Sequence, residues 1–248
     1  MKAASELHDV IQVSGLTKGF HDKAVLKDVS LSLVNRENLV VLGRSGTGKT
    51  VLIKCVVRLL EADAGSISVL GRDVNKLDIQ GLRELRKEIG FLFQGGALYD
   101  SMTVKENMEF PLRRIRRQMG EKDRNEKIMD ALEQVGLADA AGKMPSELSG
   151  GMRKRISLAR TLVVEPKVLL YDEPTTGLDR ITSAEISELI NTVRDRYKTS
   201  SMIITHDIDC VRITADRIVV LEEGEVYAEG TVSEFESSRD GLIHEFFK

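Results

Sequence analysis

The chain has 248 residues, of which 42% are apolar and 30% charged, with a net charge of −3 and two cysteines. That balance excludes a disulfide framework, a global basic footprint for nucleic acid and a low-complexity chain. No apolar run approaches the roughly 18–20 residues that a membrane span needs; the longest, Val51–Leu60, is broken by Lys54 and Arg58. The N-terminal stretch through Val10 holds no apolar core of the secretory kind. The expected compartment is the cytoplasm, with any work at a membrane done through a partner.

In chain order, residues 9–34 read as antiparallel β, because Val29 to Leu33 alternates apolar and polar like a half-buried strand. Leu39 to Leu42 is a continuous apolar run into a glycine-rich turn, the pattern of a central strand buried on both faces. A helix over about 48–60 follows, apolar nearly all round and therefore buried. Further buried-strand runs lie at Ile89–Phe93, Val168–Tyr171, Met202–Ile204 and Ile218–Leu221. Helical stretches separate most of them, which is the βαβ rhythm of a parallel sheet. Residues 100–147 interrupt that rhythm. They are charge-rich, hold no strand-like run, and open a helix with the capping box Thr103 to Glu106, so they read as an inserted helical lobe. Thr182 with Glu185 and Thr231 with Glu234 read as further capping boxes.

Three stretches carry chemistry. Gly43, Arg44, Ser45, Gly46, Thr47, Gly48, Lys49 and Thr50 fit the phosphate-binding pattern G-x4-G-K-[ST] between a strand and a helix. The glycines let backbone N–H groups turn toward phosphate oxygens, and the helix start adds its positive end. Lys49 would neutralise the β- and γ-phosphates and the Thr50 hydroxyl would ligate Mg2+. Val168 to Tyr171 ends in Asp172 and Glu173, two carboxylates at a strand's C-terminal end, where ligands of open α/β sheets bind. Asp172 suits an indirect Mg2+ contact and Glu173 suits the base that polarises attacking water. Ser149, Gly150 and Gly151 open another helix and make a second anion-binding start. Two such starts in one chain point to two chains closing over each nucleotide.

With these residues in place, the sequence resembles the ABC-type ATPases through nearly its whole length. Phe20 stands where that family has an adenine-stacking aromatic, Gln94 resembles its Q-loop glutamine, and LSGGM at Leu148–Met152 its signature motif. Asp179 resembles the D-loop aspartate and His206 the switch histidine. Met152 departs from the usual Gln, and Phe20 from the commoner Tyr. The resemblance implies an α/β fold: a P-loop NTPase (RecA-like) core with a parallel sheet, an N-terminal antiparallel β subdomain and an inserted α-helical subdomain. Residues 1–99 and 148–235 would form the core, 100–147 the helical subdomain and 236–248 a tail. It also implies ATP and Mg2+ as ligands, with Gln94 joining Thr50 and Asp172 at the metal, Gln94 and His206 joining Glu173 in hydrolysis, and Asp179 communicating across a homodimer.

A narrower resemblance, to the Mla/MCE-type phospholipid transporter ATPases, rests on Phe93–Asn107, on LSGGM and on Asp172–Asp179 followed by Ile181. It implies lipid cargo, an MCE-type substrate-binding protein and a dimeric membrane permease. The short apolar stretch with Ala97, Leu98, Tyr99 and Met102, between Gln94 and the Thr103 box, reads as covered by that permease at residues 95–107, Tyr99 foremost, rather than tucked into its own core. The subunit would then sit on the cytoplasmic face of the inner membrane. A DNA-repair ATPase of this class needs long heptad insertions, and the roughly 50 residues between Gln94 and Leu148 hold none. A soluble assembly factor is the other rival; a nucleotide sensor without turnover fits poorly with Glu173 and His206 both present. The cluster Arg113–Arg117 reads as a solvated helix face and the two cysteines as small buried hydrophobes. His8, His21 and His244 carry no metal-ligand spacing. The apolar tail Gly241–Phe247 reads equally as docked on its own chain or on a partner.

Overall fold

The computed structural model describes residues 9–21 and 23–247; the reading of the first eight residues, with His8, lies outside them. The N-terminal β expectation is met by β1 (Asp9–Phe20) and β2 (Lys23–Val34), which pair antiparallel. With β4 (Ala64–Val69) and β5 (Arg72–Asp73) they form a four-stranded sheet in the order β2-β1-β4-β5. The apolar runs become β3 (Asn38–Leu42), β6 (Ile89–Leu92), β7 (Val168–Asp172), β8 (Ser200–Thr205) and β9 (Arg217–Glu222). These five are parallel, and β10 (Glu225–Gly230) adds antiparallel at one edge to give β10-β9-β3-β8-β7-β6.

The parallel strands are buried on both faces, as their unbroken apolar runs require. Val40, Leu42, Leu169 and Tyr171 face one core, which they share with α3 (Val104–Ile115), α4 (Glu121–Gln134), α5 (Gly150–Leu162) and α6 (Arg180–Tyr197). Leu39, Val41, Val168 and Leu170 face the other, filled by α1 (Lys49–Val56) and the antiparallel sheet. The lobe expected at 100–147 holds α3, α4 and short 3-10 turns but no strand.

Two expectations are corrected. The helix over 48–60 stops at Val56, because Arg58 is left-handed (φ 49°) and the Arg86 side chain from α2 (Ile79–Lys87) takes the Val57 and Arg58 carbonyls at 3.0 and 2.9 Å. Thr182 and Glu185 make no capping box. Asp179 is the N-cap of α6 and accepts from the Thr182 N–H at 3.0 Å, while Glu185 pairs with Arg155. The boxes at Thr103 and Thr231 are present, the latter opening α8 (Val232–Glu236).

The loop before α3 is knotted by fully buried Asn107. Its amide donates to the carbonyls of Tyr99, Met102 and Thr103 at 3.0 Å each, and its oxygen accepts from the Tyr99 N–H at 2.8 Å. The tail forms α9 (Gly241–Phe247) and docks on its own chain. Ile243 is buried, the Phe247 ring meets Phe235 edge-on at 6.0 Å, and Arg212 donates to the Phe247 carbonyl. Arg113 and Arg114 lie on α3, the first paired with Glu109 and the second over the Phe110 ring, while Arg116 and Arg117 fall beyond its end. Cys55 and Cys210 are buried, and burial pushes both thiols up to about 11.

Candidate nucleotide site

Strand order brings the chemistry together. β3 lies beside β8, β8 beside β7, and β7 beside β6. Their C-terminal ends therefore deliver the 43–50 loop, His206, Glu173 and Gln94 to one edge, where open α/β sheets bind ligands. A cavity of about 230 Å³ sits there, floored by Ser45, Gly46, Gly48, Lys49 and Thr50. Gln94, Glu173 and His206 form its far side, and Val25 of β2 its apolar wall.

Backbone demands explain the glycines. Gly46 and Gly48 take φ of 87° and 101°, and a Cβ at Gly48 would come within 2.7 Å of Leu26 and 2.9 Å of the Val25 carbonyl. A Cβ at Gly43 would lie 2.4 Å from the Leu221 carbonyl of β9. Thr47 braces the turn by donating to the Arg44 carbonyl. Arg44 offers that carbonyl to the loop, whereas its guanidinium turns away to pair with Glu245 of α9.

Lys49 is 5% exposed and donates to the Gly43 and Arg44 carbonyls at 2.7 and 2.9 Å, with Glu173 Oε1 at 3.8 Å. Burial holds its pKa below the usual lysine range, against the opposing pull of Glu173, Asp172 and Glu222. The Thr50 hydroxyl donates to Asp172 Oδ1 at 2.9 Å. Burial raises the Asp172 carboxyl, opposed by that Thr50 bond. Glu173 follows β7 with a left-handed backbone (φ 52°), which aims its side chain into the cavity. Its Oε2 meets His206 Nδ1 at 2.8 Å and accepts from Thr176 Oγ1 at 3.1 Å.

The remaining expected residues lie outside that cavity. Phe20 is 40% exposed at the end of β1, with the Lys18 ammonium 5.4 Å from its ring centre. Ser149 is the N-cap of α5 and accepts from the Met152 N–H at 3.2 Å. Gly151 has a packing reason, since a Cβ there would come 2.5 Å from the Thr182 methyl. Neither the Ser149–Gly151 turn nor Asp179 lines the cavity of its own chain. Sequence reasoning passed over Lys154 of α5. It is 7% exposed, and its ammonium donates to the Gln94 carbonyl and, at 3.3 Å, to the Glu173 carbonyl. The available signal was helical spacing, which puts Lys154 on one face with Ser157 and Leu158 rather than with the solvated arginines beside it.

The fold and this edge define a P-loop nucleotide-binding cassette: a parallel sheet with an antiparallel β layer and a helical lobe, carrying one phosphate cradle faced by a carboxylate and a histidine. The ABC transporter family profile matches residues 26–176, and the chain belongs to that family. It is 38% identical to the methionine import ATP-binding protein MetN of Brucella abortus over 90% of this chain and 60% of that one. It is 40% identical to the probable ribonucleotide transport ATP-binding protein mkl of Mycobacterium leprae over 85% of this chain and 60% of that one. The chain thus spans about 60% of the length of these curated relatives. Among solved structures it resembles the dimeric bacterial ABC transporter cassette MJ0796, at 30% identity and a TM-score of 0.83 over 90% of this chain and 98% of that one. A second structure of that cassette, a post-hydrolysis dimer with ADP and Pi, aligns with a TM-score of 0.81.

Proposed function

We propose that the chain hydrolyses ATP as one half of a symmetric pair and so drives a membrane transporter. One observation carries this reading. The cradle gathers Lys49, Glu173 and His206 in about 230 Å³, less than the roughly 300 Å³ or more of a site enclosing a whole small ligand, while the chain's second anion-binding turn faces elsewhere. A second copy presenting its Ser149–Gly151 turn completes the enclosure. Lys49 and the 43–50 amides hold the phosphates, Phe20 stacks on the base, and His206 contacts the γ-phosphate. The Thr50 hydroxyl, already aimed at the Asp172 carboxylate, fits a hydrated divalent cation. Thr50, Gln94 and, less directly, Asp172 would hold Mg2+, which would supply neutralisation of phosphate charge. Glu173 orients water and takes its proton, and Asp179 carries the state of one site to the other. In this reading residues 1–99 and 148–235 are the catalytic core, 100–147 the lobe and 236–248 the tail.

Ser149→Arg supplies the test of the pair. As a pure homodimer it is expected to lose ATP turnover while each chain still binds nucleotide at Lys49. Normal turnover in that variant would sink the two-chain site.

The permease surface is read at residues 95–107. Tyr99 is 43% exposed there, its ring 5.0 Å from Phe110, whereas Leu98 packs partly against the core. Among the described residues no helix is long and apolar enough to cross a membrane, which fits peripheral attachment to the cytoplasmic face through that permease. For cargo, the Phe93–Asn107 stretch supports an MCE-type lipid system, and the names of the two curated relatives support a small polar solute, by methionine import in one and ribonucleotide transport in the other. Affinity capture of the full chain from its own membranes separates them. A permease with an MCE-type protein, and transport of labelled phospholipid that stops when the subunit is deleted, is expected; labelled methionine uptake that stops instead would give the cargo to the second reading.

A further inference from the structure

Lys154 is a cation spent where packing alone would call for an apolar side chain. It lies on the inner face of α5 at 7% exposure, with no carboxylate within ion-pairing distance among the described residues. Its ammonium instead donates to two backbone carbonyls from separate segments: Gln94, which follows β6, and Glu173, which follows β7. Burial lowers its pKa, and the charges of Asp172 and Glu173 work against that fall. A buried charge is costly unless hydrogen bonds and opposite charge offset it, and here the acceptors are the backbones of two of the three residues that form the far side of the phosphate cradle.

The same face of α5 follows the loop outward from Gln94. Ser157 lies against Gly96, where a Cβ would meet its hydroxyl at 2.8 Å. Arg160 donates to the Ala97 carbonyl at 2.6 Å and lies 5.5 Å from the Tyr99 ring centre. Residues 154, 157 and 160, three apart along the helix, lie against Gln94, Gly96, Ala97 and Tyr99 in turn. This helix starts at the Ser149–Gly151 turn, with Ser149 as its N-cap.

We propose that Lys154 is a positioning residue: by donating to the Gln94 and Glu173 carbonyls, it fixes both to the helix whose first turn serves the partner copy's nucleotide. A shift of α5 when that turn meets the partner's triphosphate is then passed to the water-orienting carboxylate of its own chain. The two sites of the pair are coupled through one side chain per copy. Lys154 touches no reacting atom; it acts on kcat by holding those that do. This rests on the hydrolytic reading above.

The test compares the full-length wild type, Lys154→Met and Lys154→Gln by steady-state ATP hydrolysis, with thermal unfolding of each. Met keeps length and bulk without a donor; Gln keeps one N–H donor pair. Lys154→Met is expected to lower kcat about 10-fold or more with KM for ATP within about 2-fold, at a folded fraction equal to wild type. Lys154→Gln is expected to recover at least a third of the lost kcat. Wild-type kcat in Lys154→Met would overturn the proposal. So would a loss shared equally between kcat and folded fraction, a Gln variant as slow as Met while fully folded, or failure of both to fold, any of which would make Lys154 a structural anchor. Absence of ATPase activity in the wild type would overturn the hydrolytic reading itself, and this proposal with it.

Discussion

Replacing Glu173 by Gln is expected to leave ATP binding intact and cut steady-state turnover by about 100-fold or more, the size of a general-base loss. The substitution is close to isosteric, so the left-handed turn after β7 and the bond from Thr176 Oγ1 have no reason to change. What disappears is the proton acceptor. Glu173 is 8% exposed; its Oε2 is held by His206 Nδ1 at 2.8 Å and Thr176 Oγ1 at 3.1 Å, and its Oε1 lies 3.8 Å from the Lys49 ammonium. The two bonds to Oε2 fix the orientation of the carboxylate, which decides where a water can be held. Hydrolysis at a near-normal rate in that variant would show that another group takes the proton, and His206 would be the next to examine.

Lys49→Ala is expected to weaken ATP affinity by about 100-fold or more, measured by calorimetric titration. Two charge-assisted bonds to phosphate, at about 1.5 kcal/mol each or more, account for that size. The ammonium already donates to two carbonyls of the loop that would wrap the phosphates. Alanine would therefore loosen the loop as well as remove the charge. It would also leave Glu173, buried at 8% exposure, without the cation 3.8 Å away, and take from the buried Asp172 one of the two lysine charges near it, an arrangement that repels a triphosphate. Unchanged affinity would mean that the 43–50 loop is not the phosphate site.

The central strands and the cradle were legible because each is written locally. A parallel strand buried on both faces needs an unbroken apolar run, and a phosphate loop needs glycines at fixed offsets. Two strands were not legible. Ala64–Val69 is exposed over its first three residues, Glu225–Gly230 has no fully buried residue, and they include Gly65 and Gly230, so neither stands out from a loop. The end of α1 was misplaced because it is set from outside, by Arg86 reaching from α2. Thr182 misled for a similar reason. The residue pattern of a capping box is present, but Asp179 sits one turn earlier and takes the N-cap role. Lys154 escaped because its partners are carbonyls 60 and 19 positions away in the chain, and a carbonyl has no residue identity to read.

The chain's two thiols, Cys55 and Cys210, are each 1% exposed and raised to about 11. At neutral pH about one in ten thousand is ionised, and only the thiolate reacts with maleimides. The folded protein is therefore silent toward sulfhydryl probes without any cysteine having to be removed from its core. A cysteine introduced at Ile181, 75% exposed at the start of α6, would be the sole site of attachment in each copy. In the proposed pair, spin labels there would report the separation of the two copies against no background from the native sequence.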